Sequence, residues 1–245
     1  MRFNINIALN GKAAQAAAKT VDIVTKYAQF VKEQKAAFDD YIDNVKKHDP
    51  AATSTAEIVL LYSGVHAIAA HRLANVLYKR KHLFAARAIS QIAKTVTGIE
   101  IHPGATIGKC LFIDHGMGVV IGETTEIGDY CTIYQGVTLG GTGKDTGKRH
   151  PTLGDRVMVG AGAKVLGPFK VGDDAKIAAG AVVLCEVPEC TTAVGIPAKP
   201  VNRDKDNRSE LDHIHIPDPV SQMIKSLEGR LAELEKTIIK EEDDK

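Results

Sequence analysis

Aliphatic residues recur every six positions through the middle of the chain. They fall at Ile101, Ile107, Ile113 and Val119, slip by two residues to Ile121, and continue at Ile127, Ile133 and Leu139. After an interruption the beat resumes at Leu153, Val159, Val165, Val171, Ile177 and Val183. A period of six matches neither the 3.6-residue helix nor the two-residue alternation of a lone strand. It fits a parallel β-helix, in which each hexapeptide supplies one face of a triangular coil and three supply a turn of about 18 residues. Gly often follows the aliphatic, as in Ile107-Gly108, Ile127-Gly128 and Val159-Gly160, and the residue four after it is small, as in Ala105, Thr125, Ala163, Ala175 and Ala181. Such residues suit corners where a Cβ is crowded. Of the 22 glycines, 18 lie between residues 100 and 200.

The interruption runs from Gly140 to Pro151 and is polar and Gly-rich. A loop thrown out of a regular solenoid maps to its working face. Upstream, residues 12–96 carry helical spacing in two layers. Val21, Ile23, Val24, Tyr27, Phe30 and Val31 form one apolar face; Ile58, Leu60, Leu61, Val65, Ile68, Ala69 and Leu73 form the other. His48-Asp49-Pro50 breaks them, and Ser54-Thr55-Ala56-Glu57 reads as a capping box. Downstream of a polar stretch, Val220, Ile224, Leu227, Leu231, Leu234 and Ile238 step by 4 and 3 as a heptad seam, with Arg230 and Glu235 at the flanking charge positions. The predicted fold is therefore α+β and multidomain. Residues 1–97 form a helical N-terminal domain, 98–201 a β-helix, and 202–245 a linker and amphipathic C-terminal helix.

Charge excludes some partners. Lys plus Arg number 31 and Asp plus Glu 30, so there is no electrostatic case for nucleic acid or an anionic membrane. No stretch approaches the roughly 18 apolar residues of a membrane helix, and the start lacks a secretory pattern; a cytoplasmic location is expected. Cys110, Cys131, Cys185 and Cys190 form no C-x-x-C pair and read as small buried hydrophobes.

Several motifs together resemble one family. They are Ile101-His102-Pro103-Gly104-Ala105, Ile113-Asp114-His115-Gly116, Gly136-Val137-Thr138-Leu139-Gly140-Gly141-Thr142-Gly143-Lys144, Lys148-Arg149-His150-Pro151 and Gly195-Ile196-Pro197-Ala198-Lys199. Asp49-Pro50 and Gly64-Val65-His66-Ala67 add to them. The stretch 48–201 is similar to the serine O-acetyltransferases of the left-handed β-helix, or hexapeptide, acyltransferase superfamily. The hexad pattern points only to the superfamily; the Asp-His, Gly-rich loop and Arg-His-Pro combination points to serine.

That resemblance implies transfer of acetyl from acetyl-CoA to the hydroxyl of L-serine, in cysteine biosynthesis, with no metal. A serine hydroxyl needs a base at neutral pH, and the family places it at His115. Glu100, where the family has Asp, would orient that imidazole, as an acid orients a catalytic histidine elsewhere. Asp49 and Asp114 would receive the substrate ammonium, Arg149 the carboxylate through its bidentate fork, and His150 the reacting side chain. Ala161 and Ala179 would flank the CoA arm, and Lys176 or Lys199 would meet its phosphates. The resemblance also implies a homotrimer or dimer of trimers, with active sites between neighbouring prisms, and feedback inhibition by L-cysteine. Family members dock O-acetylserine sulfhydrylase with a C-terminal isoleucine. This chain ends Asp243-Asp244-Lys245, so weak or absent docking by that route is expected. Alternative readings are a hexapeptide acyltransferase for a sugar or amine, a zinc lyase of the γ-carbonic-anhydrase kind, and a non-catalytic trimeric scaffold.

Overall fold

A computed structural model describes residues 3–143, 146–202, 224 and 226–234. Four helices, α1 (Phe3–His48), α2 (Thr55–Leu61), α3 (Ser63–Lys79) and α4 (Leu83–Thr97), precede fifteen short strands. The chain divides into two compact units, Met1–Asp43 and Asn44–Lys245. The first is the body of α1, where Lys26 pairs with Asp22 at 2.8 Å and Tyr27 and Val31 are exposed. The second holds the end of α1, the other helices and the strands. Helices 55–97 thus share a compact unit with the solenoid.

The strands make three parallel faces. The first face stacks Glu100–Ile101, Val120–Ile121, Thr138–Gly140, Lys164–Leu166 and Val182–Val183. The second stacks Thr106–Ile107, Glu126–Ile127, Thr152–Leu153 and Lys170–Val171. The third stacks Phe112–Ile113, Thr132–Ile133, Met158–Val159, Lys176–Ile177 and Thr191–Gly195, and the antiparallel Ala198–Asn202 closes its far end. The hexad aliphatics are the inward residues, none more than 7% exposed. They stack on their own kind: Ile101 beside Ile121, Ile121 beside Leu139, Leu139 beside Val165, Val165 beside Val183. Each such side chain gains roughly 1.5–3 kcal/mol by leaving water.

The register shows where the period breaks. Val120 pairs with Thr138 and Lys164 with Val182, so these coils are 18 residues long. Glu100 pairs with Val120, making the first coil 20, and Thr138 pairs with Lys164, making the third 26. Two extra residues fall between Ile113 and Ile121, at the corner from third face to first. Eight fall between Leu139 and Leu153, at the corner from first to second.

Corners are held by side chains as well as backbone. At the corner from second to third face, Lys109 N–H donates to Asp129 Oδ1 at 2.7 Å, Asp129 N–H to Asp155 Oδ1 at 2.8 Å, and Asp155 N–H to Asp173 Oδ1 at 3.2 Å. This aspartate ladder explains the glycines after Ile107, Ile127 and Leu153: a Cβ on Gly154 would stand 2.1 Å from Asp173 Oδ1. Arg156 adds two bonds of 2.8 Å to Asp174.

Along each strand alternate residues bond to the next coil, as Glu100 N–H does to Val119 O and Val120 N–H to Val137 O. In the first coil the carbonyls turned the other way face no earlier coil and need donors. The helices supply them. Ser90 Oγ donates to Ile101 O at 2.7 Å, Asn75 Nδ2 to Pro103 O at 2.7 Å, Arg72 to Gly108 O at 2.7 Å and Asn44 to Cys110 O at 3.1 Å; His71 Nε2 lies 3.2 Å from Ala105 O.

The capping residue is Ser54, whose Oγ accepts from Glu57 N–H at 3.1 Å, and the Glu57 carboxylate takes Thr53 N–H at 3.0 Å as well as the Ser54 backbone N–H. Two readings need correction. The second apolar run is broken at Tyr62, and Leu60, Leu61 and Leu73 on it are exposed. Cys110 and Cys131 are buried, whereas Cys185 and Cys190 are exposed. Of the heptad seam, Ile224, Leu227, Leu231 and Leu234 lie on a described helix and are exposed. Val220, Ile238 and Glu235 lie outside the described residues, as do Lys144 and Asp145 of the loop.

If the ladder carries the corner, Asp155→Ala leaves the Asp129 N–H without its acceptor. Chemical denaturation should then show a loss of about 1–3 kcal/mol. A loss below about 0.5 kcal/mol, the size of an ordinary surface substitution, would contradict the ladder's role.

Candidate active site

The two-residue insertion shapes the first group. Later coils turn from third face to first in four residues, such as Gly160-Ala161-Gly162-Ala163; the first coil uses six, Asp114-His115-Gly116-Met117-Gly118-Val119. The longer turn puts His115 at φ 57° with its side chain 70% exposed. Asp114 Oδ1 lies 3.9 Å from His115 Nε2.

Asp49, from the connection between α1 and α2, faces the same corner. Its Oδ2 accepts from the Tyr62 hydroxyl at 2.5 Å and its Oδ1 from Ala51 N–H at 2.8 Å. Burial raises the Asp114 carboxyl above the usual range; the neighbouring His115 opposes this and the Asp49 charge adds to it. Half-buried Tyr134 is raised by burial first, then by the charges of Asp114 and Asp49. Two acids, two phenols and an imidazole therefore share one edge of the prism.

The eight-residue insertion builds the second group. Its returning arm carries Arg149, whose Nη2 meets Glu123 Oε2 at 2.8 Å, while Tyr78 donates to Glu123 Oε1 at 3.0 Å. His150 is buried, with Nδ1 3.2 Å from Thr124 N and 2.9 Å from Thr124 Oγ1. Its ring fills the space beside Gly122, where a Cβ would stand 1.9 Å from His150 Cδ2. Burial lowers the His150 pKa, and the Arg149 charge lowers it further. His102 is lowered by burial too, with Glu123 opposing.

The structure gathers the predicted residues into two sets. Asp49, Asp114 and His115 share the third-to-first edge; Arg149 and His150 share the first-to-second edge. One face of six residues, at roughly 3.3 Å each, separates them by up to about 20 Å. Glu100 lies on that face. Its carboxylate meets Arg87 at 3.1 Å and Lys94 at 2.6 Å, and the Lys94 bond, ahead of the charges of Lys94 and Arg87, holds its pKa low against burial. Its bonds run to α4 rather than to His115, although a Cβ on Gly116 would come within 2.5 Å of Ile99 Cδ1, so the turn after His115 packs on the residue before Glu100.

Above His115 the same edge is bare. Gly136, Gly162 and Gly180 succeed one another, with N–H groups bonded to Met117 O, Gln135 O and Ala161 O. A Cβ on Gly162 would meet nothing within 4 Å. Ala161 is partly exposed and Ala179 exposed along this strip. Lys176 is on the third face and only 8% exposed, unlike the open ammonium that a phosphate contact calls for. Glu123 and Tyr62, missed in the sequence, join the two groups; neither lies in a periodic position that singles it out. Among the described residues, no three His, Cys, Asp or Glu side chains gather as a metal site, and no helix is long and apolar enough to cross a membrane.

Comparison with known proteins gives this geometry a relative. Residues 150–185 match the model for bacterial transferase hexapeptide repeats (six repeats). A serine acetyltransferase of Bacillus licheniformis is 57% identical over 202 residues, 82% of this chain and 94% of the relative. One from Helicobacter pylori is 64% identical over 67% of this chain and 96% of its own. Among solved structures, a serine acetyltransferase in complex with cysteine matches at TM-score 0.70 and 39% identity, covering 75% of this chain and 71% of that one. Soybean serine acetyltransferase complexed with serine matches at TM-score 0.66 and 45% identity over 68% of each chain. With a hexad solenoid, the Asp-His corner and identity of this extent, the chain belongs to the serine acetyltransferase family.

Proposed function

We propose that this acyltransferase moves acetyl from acetyl-CoA to the hydroxyl of L-serine, giving O-acetyl-L-serine for cysteine synthesis. The observation that carries the reading is the exposed His115 imidazole beside an acidic pair on an enlarged corner. His115 takes the hydroxyl proton as the serine oxygen attacks the thioester carbonyl. The tetrahedral adduct then collapses, the C–S bond breaks, and the imidazolium returns its proton to the departing CoA sulfur. Glu100, its carboxylate held by Lys94 and Arg87, is kept as an orienting residue that acts on the His115 turn through the packing of Ile99 against Gly116 rather than by its charge.

Asp49 and Asp114 take the ammonium of serine. Burial first, and the Asp49 charge to a lesser degree, raise the Asp114 carboxyl, and a cation seated between the two acids relieves both costs. Arg149 and His150 take the carboxylate and the reacting side chain. Because they occupy another edge, we assign the complete site to two chains of a homotrimer, third-to-first edge of one prism against first-to-second edge of the next. The bare glycine and alanine strip past Ala161 and Ala179 lets the CoA arm lie close to the backbone. Lys176, covered on the third face, is left out of the proposal. L-Cysteine, which presents the same ammonium and carboxylate, competes at these contacts. A cytoplasmic setting fits this chemistry.

Three outcomes follow. Purified protein given acetyl-CoA and a panel of amino acids, sugars and amines should release CoA with serine; release with sugars and not serine would refute the acceptor. His115→Ala should lower kcat at least about a thousandfold at unchanged melting temperature; wild-type turnover would refute the base. The third outcome concerns pH. A carboxyl raised on folding binds its proton more tightly in the native state, so its contribution to stability falls as pH rises through the range above about 4. Asp114→Asn should therefore melt above the wild type at pH 8, with the gain shrinking toward pH 4. A gain that grows on acidification would contradict the assignment.

A further inference from the structure

Asp49 reaches the site from outside the solenoid. It sits one residue past α1, in a connection bearing Pro50, while its acidic partner Asp114 rides on the first coil. The last turn of α1 is tied to that coil by the Asn44 bond to Cys110 O and by His48 packing on Phe112, with ring centroids 6.2 Å apart. Neither contact fixes the direction of the Asp49 carboxylate. A second path does.

Tyr62 links α2 to α3, serving as the last cap of one and the first of the other in extended backbone, φ −81° and ψ 113°. Two residues on, Gly64 starts α3 against the strand that leads into Asp114: a Cβ there would stand 2.5 Å from Ile113 O. The Tyr62 hydroxyl is thus carried on a segment locked to the coil of Asp114 and His115, and it donates to Asp49 Oδ2 at 2.5 Å. With Ala51 N–H on Oδ1 at 2.8 Å, both carboxylate oxygens are held by donors in a fixed plane. Free rotation of an aspartate about its terminal bond would otherwise be broad.

We propose that Tyr62 is a positioning residue that aims the Asp49 carboxylate toward Asp114, and thereby sets the affinity for an acceptor bearing an ammonium group. The inference rests on the reading that these two acids receive the ammonium of serine. Tyr62 touches neither acetyl-CoA nor the reacting oxygen; it acts through Asp49. Losing the hydroxyl leaves the charge in place but unaimed, so the cost falls on acceptor binding rather than on proton transfer by His115.

The test compares wild type, Tyr62→Phe and Tyr62→Leu in the purified full chain, measuring KM for serine, KM for acetyl-CoA, kcat and melting temperature. Tyr62→Phe should raise KM for serine about tenfold, the size expected for one hydrogen bond to a charged group. KM for acetyl-CoA should stay within about twofold and kcat should change much less than KM for serine. Tyr62→Leu should show the same split. Unchanged KM for serine in Tyr62→Phe overturns the proposal. So does a parallel shift of both KM values and kcat with a fall in melting temperature, which would mark a purely structural staple. A wild type active with acetyl-CoA and another acceptor but inert to serine overturns the underlying acceptor reading, and is distinguished from the first failure by the wild-type measurement alone.

Discussion

A parallel ladder between coils tolerates no extra residues within its rungs. Each face spends its residues on the pairing that stacks Ile101 on Ile121 and Ile121 on Leu139, and a residue added within a rung would turn that row from core to solvent. Insertions must be expelled at corners. This chain has two, of two and eight residues. The first enlarges the turn that carries Asp114 and His115; the second throws out the loop that returns through Arg149 and His150. The proposed site residues thus stand where the repeat fails, on a frame whose regularity fixes the height and edge of each group. The helices complete that frame by giving the open carbonyls of the first coil their donors, and the same helices bring Asp49 and Tyr62 to the corner.

Much of this was legible because the repeat is redundant. Fourteen aliphatics at one spacing predict one another, and the slip at Ile121 and the break after Leu139 are visible as departures from them. The corner ladder was half legible: the glycines could be seen, but not that they make room for Asp129, Asp155 and Asp173 of the next coil. Contacts between the helices and the solenoid were not legible at all. Tyr62 reads in sequence as an aromatic on an apolar helix, and only the bend at the α2–α3 junction turns its hydroxyl to Asp49. The resemblance makes Glu100 a partner for His115, and the contacts of its carboxylate with Arg87 and Lys94 of α4 are not visible in the sequence. The resemblance sets Lys176 against the CoA phosphates, and its burial to 8% exposure on the third face is not a periodic property.

Electrostatics at the His115 edge favour function over stability. Burial first, and the Asp49 charge to a lesser degree, raise the Asp114 carboxyl, so keeping it ionised in the folded protein is costly. In the proposed site a bound ammonium would offset that cost. Arg149 and Glu123 on the other edge are paired in the single chain. The two edges therefore differ in kind: one gathers two acids beside an imidazole, while the other pairs its cation with a carboxylate.

The separation of these edges is the central claim, and mixing two inactive variants tests it. His115→Ala and Arg149→Ala each lack one half of the site. Co-purified after joint refolding at equal amounts, random trimers would hold both intact halves at about one site in four, so about a quarter of wild-type turnover should return. Activity no higher than that of the separate variants would show that each site is built within one chain and would contradict the account.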